Sequence, residues 1–420
     1  MLRTIRALEG GASDARRERA PESEEEMVPT SKTAPRRIAI VGGRCVLPDG
    51  DESQADVLVI EDRIVRVGSM EPTPDDLVID AAGCWVVPGF VDLHVHGGAG
   101  ADFADGSLHA VKIALDFHAA HGTTRAVASL IPMEFARLRQ AMATLADRPK
   151  LGLLGIHLEG PYVSPTKRGA LDRALLRSPD GEGFRELVAG FESSVRIVTL
   201  APELPGAAGL LEAVLDVGAV AAIGHSDATY EQACAAIEQG VGHVTHLGNA
   251  MSGLDHRAPG VFGAALFDGR VTLELIADGL HVHPAVVRFL VDDLSARGQL
   301  GRLSLVTDAI RAAGSADGGF TLGSLAGTAH DGVARLADGT LAGSTLTLDE
   351  ALRNAVRFTD LSIPHAVQLV TRNPADVLGE THLGRLHPGA VADVVLLDSD
   401  LSVRMTIRSG EVLFDSAAPS

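Results

Sequence analysis

Aromatic residues are scarce in this chain: they make up 4% of 420 residues, with one tryptophan and two tyrosines. So low a content argues against an aromatic-rich sandwich as the main body, while 46 glycines point to the tight turns and close backbone packing of an α/β protein. Cysteine is as sparse. Cys45, Cys84 and Cys234 are widely separated and match no metal-knuckle or redox spacing, and an odd, low count fits a reducing, cytoplasmic setting. No apolar run approaches the roughly 20 residues that span a bilayer, so no membrane partner is expected. Basic residues are outnumbered, 36 against 55, and the net charge of -19 argues against a nucleic-acid partner, which needs a basic face. An anionic small molecule stays open, because a local Arg or His cluster outweighs the global field at short range.

Residues 1–36 are polar, charge-mixed and aperiodic, with an "ESEEEM" run and Met27 inside them; they predict a disordered tail and lack the apolar stretch of a secretory signal. From Arg37 the chain changes. "RIAIVGGRCVLPDG", "ADVLVIEDRIVRVGS" and "DLVIDAAGCWVVPG" are short strand-like runs broken by turn residues, and "ADVVLLDSDLSVRMTIRSGEVLFD" repeats the style at the far end. These predict a small β-sandwich domain built from both chain ends, 37–87 and 380–420. In the intervening 88–379, eight apolar strand candidates alternate with helical stretches, the count of a (β/α)₈ TIM-like barrel in the α/β class. A doubly wound sheet would show an early glycine-rich phosphate fingerprint, and "VGGRCV" is none. One helix, in "ATYEQACAAIEQG", is expected to be capped by Asp227 and stopped by Gly240.

Barrel active sites are built at the C-terminal ends of the strands. There the chain carries His94 and His96 ("HVH", strand one), Glu159 ("HLEGPY", strand three), His225 (strand five), His246 (strand six) and Asp308 (strand eight). Two imidazoles at i and i+2 share one face of a strand and can reach one ion. A carboxylate such as Glu159 at the end of an apolar strand is prohibitive to bury without a cation or hydrogen bonds, and the histidines supply that company. His and carboxylate ligands without cysteine suit one or two divalent metal ions, with Zn²⁺ expected first and Fe²⁺, Mn²⁺ or Co²⁺ as alternatives. Such an ion acidifies water and polarises a carbonyl, leaving Asp308 to shuttle a proton to a departing amine. The implied reaction is hydrolysis of an amide or related C–N bond. His118 and His121, on a predicted helix, are read as surface residues without a carboxylate partner.

With these residues in hand, the chain resembles the amidohydrolase superfamily and, within it, the N-acetylglucosamine-6-phosphate deacetylase family. The similarity spans nearly all of 37–415 and is carried by "PGFVDLHVHGG", "HLEGPY", "GHSDATYEQA", "THLGNAM", "HRAPG", "IADGLHVHP" and "LVTDAIRAAG". The resemblance implies that Glu159, His225 and His246 hold the principal metal, that His94 and His96 with Asp308 hold a second, and that Asp308 is catalytic. It implies an amino-sugar-phosphate pocket lined by Ala170, Leu171, Asn249, Ala250, Asp278, His281, Leu341, Ala342 and Gly343, with Arg257 anchoring the phosphate. A homodimer is implied as well, with Arg257 or His281 reaching a neighbouring subunit's site. Strand four, "VRIVTLAP", has no lysine, so the carboxylated-lysine bridge of hydantoinases is ruled out. Leu171 stands where the family usually has a polar side chain; a shift of this loop would instead bring in Asp172 or Arg173. Rival readings are a deacetylase for the galactosamine epimer, a D-aminoacylase-like enzyme, and a catalytically silent sugar-phosphate-binding barrel.

Overall fold

The computed structural model describes residues 35–418, so the expected disordered tail lies almost wholly outside the described residues. Eight parallel strands follow one another round a single sheet: β1 Phe90–Val95, β2 Thr123–Leu130, β3 Leu153–Glu159, β4 Val195–Leu200, β5 Val220–Ile223, β6 His243–Val244, β7 Thr272–Leu275 and β8 Leu303–Leu305. The chain beyond β8 closes the ring: Ala309 bridges Val95 in parallel, and the Asp308 N–H donates to the His94 carbonyl at 2.8 Å. A helix follows each strand, from Leu108–Ala120 after β1 to Leu348–Phe358 after β8, giving the expected (β/α)₈ barrel. Every residue of β1 and β2 is buried, as parallel strands must be when helices cover one side and a filled lumen the other.

The lumen is unusually polar. Asp92, Ser129, His157, Thr199, Glu274, Ser304 and Thr307 are all fully buried in it. Most are paired: Thr307 donates to Asp92 at 2.6 Å, and a chain runs from Ser129 through His157 and Thr199 to Thr245. Burial holds His157 well below the usual imidazole range, so it sits neutral between two hydroxyls.

The chain ends meet in a second, mixed eight-stranded sheet. Its central strand, Arg37–Val46, pairs antiparallel with Glu52–Ile60 on one edge and parallel with Leu77–Asp80 and Trp85–Pro88 on the other. Val394–Leu397, Val403–Arg408 and Glu411–Asp415 extend it from the C-terminal side. Ile38, Val57, Ile64, Val86, Leu396 and Ile407 from both ends share one core.

Four local readings change. The Asp227 cap gives way to Thr229, whose hydroxyl accepts from Gln232 N–H while the Gln232 side chain returns to the Thr229 N–H, a capping box that starts the helix Tyr230–Glu238. The sixth strand shrinks to two residues, as the backbone turns into positive φ at His246, two residues past its end. His118 is buried, donating to the Gly97 carbonyl at 2.9 Å, and burial pushes its imidazole down to about 4; His121 has a carboxylate partner, Asp349, at 3.1 Å. After β8, "GGFTLGSLAGTAHDGVARL" forms an unforeseen three-stranded meander, Gly318–Leu322, Leu325–His330 and Val333–Leu336.

Arg125 on β2 makes a bidentate pair with Asp393, at 2.6 and 3.0 Å, where the second sheet meets the barrel, and both side chains are buried. Removing one partner strands the other charge. Asp393→Ala should lower unfolding free energy by about 3–5 kcal/mol in urea titration, whereas joint replacement by Met at 125 and Leu at 393 should cost far less.

Candidate metal centre and substrate cavity

Each candidate ligand leaves the barrel just past, or at the end of, its strand. His225, His246 and Asp308 do so with φ of 47°, 32° and 49°, and Ala250 follows at 49°. Positive φ costs a non-glycine residue about 1–3 kcal/mol and persists where surrounding structure enforces it, typically at functional sites. The turns swing all three side chains inward instead of along the strand direction.

Two triads result. Glu159 Oε1 lies 3.0 Å from His225 Nε2 and 3.1 Å from His246 Nε2, and these nitrogens are 3.1 Å apart. His94 Nε2 and His96 Nε2 are 3.2 Å apart, with Asp308 Oδ1 at 3.5 and 3.1 Å from them. Glu159 spans both: its oxygens approach His96 Nε2 at 3.4 Å and His94 Nε2 at 3.6 Å. All six side chains are buried.

The donor set fits a divalent cation. His225 Nδ1 donates to the Lys167 carbonyl at 2.9 Å, and His94 Nδ1 donates to Glu274 at 3.0 Å. In the neutral tautomers that these bonds select, both Nε2 atoms present lone pairs, and they face further nitrogens and carboxylate oxygens. Only added positive charge resolves such a meeting of acceptors. Burial alone disfavours a charged His94, yet Asp308, Glu159 and Glu274 outweigh it and hold the imidazole well above its ordinary range. Burial likewise opposes the Glu159 carboxylate, and His94, His225 and His246 overcome that and hold it well below the carboxylate range.

The triads open into a cavity of about 240 Å³. Ala170, Leu171, Asn249, Ala250, His281, Leu341 and Gly343 line it, as the sequence reading expects, together with Ile131, Ile310, Leu322 and Thr340, which it missed. Three expected residues do not. Ala342 is buried behind the wall, packed in the cluster of Ile310 and Leu336. Asp278 stands behind His281, accepting from its Nδ1 at 2.6 Å and leaving Nε2 to face the cavity. Arg257 is exposed on the loop after Ala250 and does not reach the cavity of its own chain. Neither Asp172 nor Arg173 enters: Asp172 caps a short 3₁₀ turn through Ala174 N–H and contacts the Ser324 hydroxyl, and Arg173 is exposed.

The amidohydrolase family model matches residues 85–413. The chain belongs to the amidohydrolase family. Among curated proteins, this amidohydrolase is 37% identical to an N-acetylgalactosamine-6-phosphate deacetylase of Escherichia coli O157:H7, over 82% of its own length and 92% of the other's. It is 35% identical to an N-acetylglucosamine-6-phosphate deacetylase of Vibrio furnissii, over 88% and 93%. Among solved structures, the N-acetyl-D-glucosamine-6-phosphate deacetylase of Mycobacterium smegmatis, a mutant in complex with N-acetyl-D-glucosamine-6-phosphate, superposes with a TM-score of 0.84 at 38% identity, covering 90% of this chain and 99% of that one. The Thermotoga maritima N-acetylglucosamine-6-phosphate deacetylase gives 0.82 at 35%, covering 90% and 100%. The deacetylase resemblance read from the motifs is borne out.

Sequence reasoning also missed Glu274 on β7. Its carboxylate accepts from His94 Nδ1 and from His243 Nε2, each at 3.0 Å, and from the His246 backbone N–H at 3.1 Å. One buried anion thus orients a ligand in each triad of this amidohydrolase, and partners of this kind typically contribute 10- to 100-fold in metal affinity. Glu274→Ala should therefore retain less metal after dialysis, with affinity down by about 10-fold or more; elemental analysis showing full wild-type occupancy would refute this.

Proposed function

We propose that the enzyme hydrolyses the acetamide of N-acetylglucosamine 6-phosphate, giving glucosamine 6-phosphate and acetate. The observation that carries this is the pair of metal-competent triads sharing Glu159 in one cavity, in a chain of deacetylase relatives. Glu159, His225 and His246 would hold the principal ion and His94, His96 and Asp308 a second, with zinc the metal we favour for this donor set. A divalent ion there supplies Lewis acidity, polarising the amide carbonyl and making water acidic enough to attack near neutral pH.

The chain does the rest. Asp308, whose Oδ1 lies 3.1 Å from His96 Nε2, takes a proton from the attacking water as the C–O bond forms. It returns that proton to the sugar nitrogen as the C–N bond breaks, so the amine leaves neutral and the acyl group leaves as acetic acid, which gives up its remaining proton to solvent to become acetate. His281, with Nδ1 pinned by Asp278, offers Nε2 to the substrate, and its cationic form is favoured by that carboxylate against the opposing effect of burial. Asn249 and Ala250 would hold the sugar.

Arg257 is assigned to the phosphate of a neighbouring subunit's substrate, in a homodimer. Its exposure, with Leu254 and Phe267 also exposed beside the same loop, supports this: arginine bonds phosphate oxygens in pairs, and apolar neighbours suit a subunit contact. Three free cysteines support a cytoplasmic location. Among the described residues, no helix is long and apolar enough to cross a membrane. The galactosamine epimer remains a second substrate reading, because a relative named for it is 37% identical.

The deciding experiment is acetate release from both epimeric N-acetylhexosamine 6-phosphates, with metal content measured on the same preparation. Turnover of at least one is expected, and Asp308→Asn should reduce kcat by about 100-fold or more with substrate affinity retained; near-normal turnover of the metal-loaded variant would dismiss the proton shuttle. Arg257→Ala should raise KM for phosphorylated sugar at least about 10-fold while leaving the unphosphorylated sugar little changed. Equal effects on the two would remove Arg257 from the phosphate site.

A further inference from the structure

The amide carbon of any substrate must sit beside Asp308 and the triads, and its two substituents then diverge across the cavity. Barrel order puts the loops after β2 and β3 across from those after β6 and β7. The β6 and β7 side carries Asn249 and His281, the polar groups suited to a sugar. The opposite wall is dominated by apolar side chains, with Thr340 beside the meander at its border. It is made by Ile131 after β2 and Leu171 after β3, and is continued by Leu322 from the meander and by Ile310 after β8, all buried and packed in one cluster with Val163 and Phe320.

Leu171 is closed to polar contact in its backbone as well. Its N–H donates to the Arg168 carbonyl at 2.9 Å, and its own carbonyl accepts from Arg168 Nη1 at 2.8 Å. The meander tip is fixed against this wall: Ser324 contacts the Asp172 carboxylate, and Gly323 sits against the Ile131 side chain. Behind Ile131 and Leu322 lies a second space of about 150 Å³, which gives those side chains room to yield. Two of its charged groups pair there, Arg311 with Asp105 at 2.6 Å.

We propose that this wall is an acyl pocket that sorts N-acyl amino-sugar phosphates by the polarity of the acyl group. It accepts propionyl alongside acetyl and rejects glycolyl, which matches propionyl in size but ends in a hydroxyl. Leu171 is the specificity-determining residue. The inference rests on the deacylase reading above. A buried hydroxyl without a partner loses its hydration for nothing, whereas an extra methyl in an apolar recess gains from burial.

The test compares kcat/KM for the N-acetyl, N-propionyl and N-glycolyl forms of one hexosamine 6-phosphate, in metal-loaded wild type and Leu171→Gln. Wild type should favour propionyl over glycolyl by about 10-fold or more, and Leu171→Gln should cut that ratio by about 10-fold, since a site's polar match decides such pairs. Should Leu171→Gln fail to fold, Ile131→Thr reads the same ratio from the neighbouring wall, with the same direction expected. Acetate release with no propionyl preference, or a ratio that neither variant moves, overturns the acyl-pocket inference alone. Failure to cleave any of the three overturns the deacylase reading, and this inference with it.

Discussion

A carboxylate at the end of β3 has been taken almost wholly out of water, and the site is organised around compensating it. Glu159 is 3% exposed, and burying an ion of this kind without partners costs several kcal/mol even after relaxation. Four imidazoles, from His94, His96, His225 and His246, stand within 3.6 Å of its oxygens. Imidazoles meet that demand in two ways, by taking up protons or by holding a metal ion between themselves and the carboxylate. The Nδ1 bonds of His94 and His225 leave both Nε2 atoms aimed at the carboxylate, where each carries a proton or, once that proton is lost, offers its lone pair to a metal ion. The same constraint explains why the lumen is hydrogen-bonded and not filled with branched apolar layers. A ligand shell must be held by polar partners, and in a closed barrel these can come only from the neighbouring strands.

Those partners connect the triads mechanically. Glu274 bonds His94 from one and the backbone of His246 from the other, while Thr307 is held by Asp92 beside the turn that presents Asp308. The positive-φ turns at His225, His246 and Asp308 store strain that only a rigid surround would tolerate. Barrel closure and the site are one construction: the bond from Asp308 N–H to His94 C=O is at once the last rung of the ring and the link between the proposed proton shuttle and a proposed metal ligand.

What was legible in the sequence follows from where side chains sit. Ligands at strand ends were readable because "HVH", "HLEGPY", "GHS" and "LVTDAI" break apolar runs with metal-competent groups where a barrel expects function. Glu274 was not, although "TLEL" alternates Thr272 and Glu274 with two leucines: without knowing that β7 faces a polar lumen, a strand-interior glutamate has no partner in view. Arg257, Asp278 and Ala342 share a different difficulty. Their motifs locate the loop, but whether a side chain faces the cavity, backs another residue or points outward depends on turns such as the Asx-type contact of Asp255 with Arg257 N–H, which no periodicity encodes. The meander after β8 was lost in glycines, which read as loop until its register is seen.

The substrate itself divides along the same line as the cavity. Glucosamine and galactosamine differ in the orientation of one hydroxyl, and relatives named for either resemble this chain to about the same degree, at 37% and 35% identity. Epimer choice therefore cannot be read from overall similarity. On the proposed reading it falls to the polar groups that face a sugar without holding a metal, chiefly Asn249 and His281. The acyl end has no such groups to read with, only Leu171 and its apolar neighbours, so discrimination there follows size and polarity. On the proposed reading, the two ends of one amide are recognised by different physics, directional hydrogen bonds at the sugar and desolvation at the acyl group.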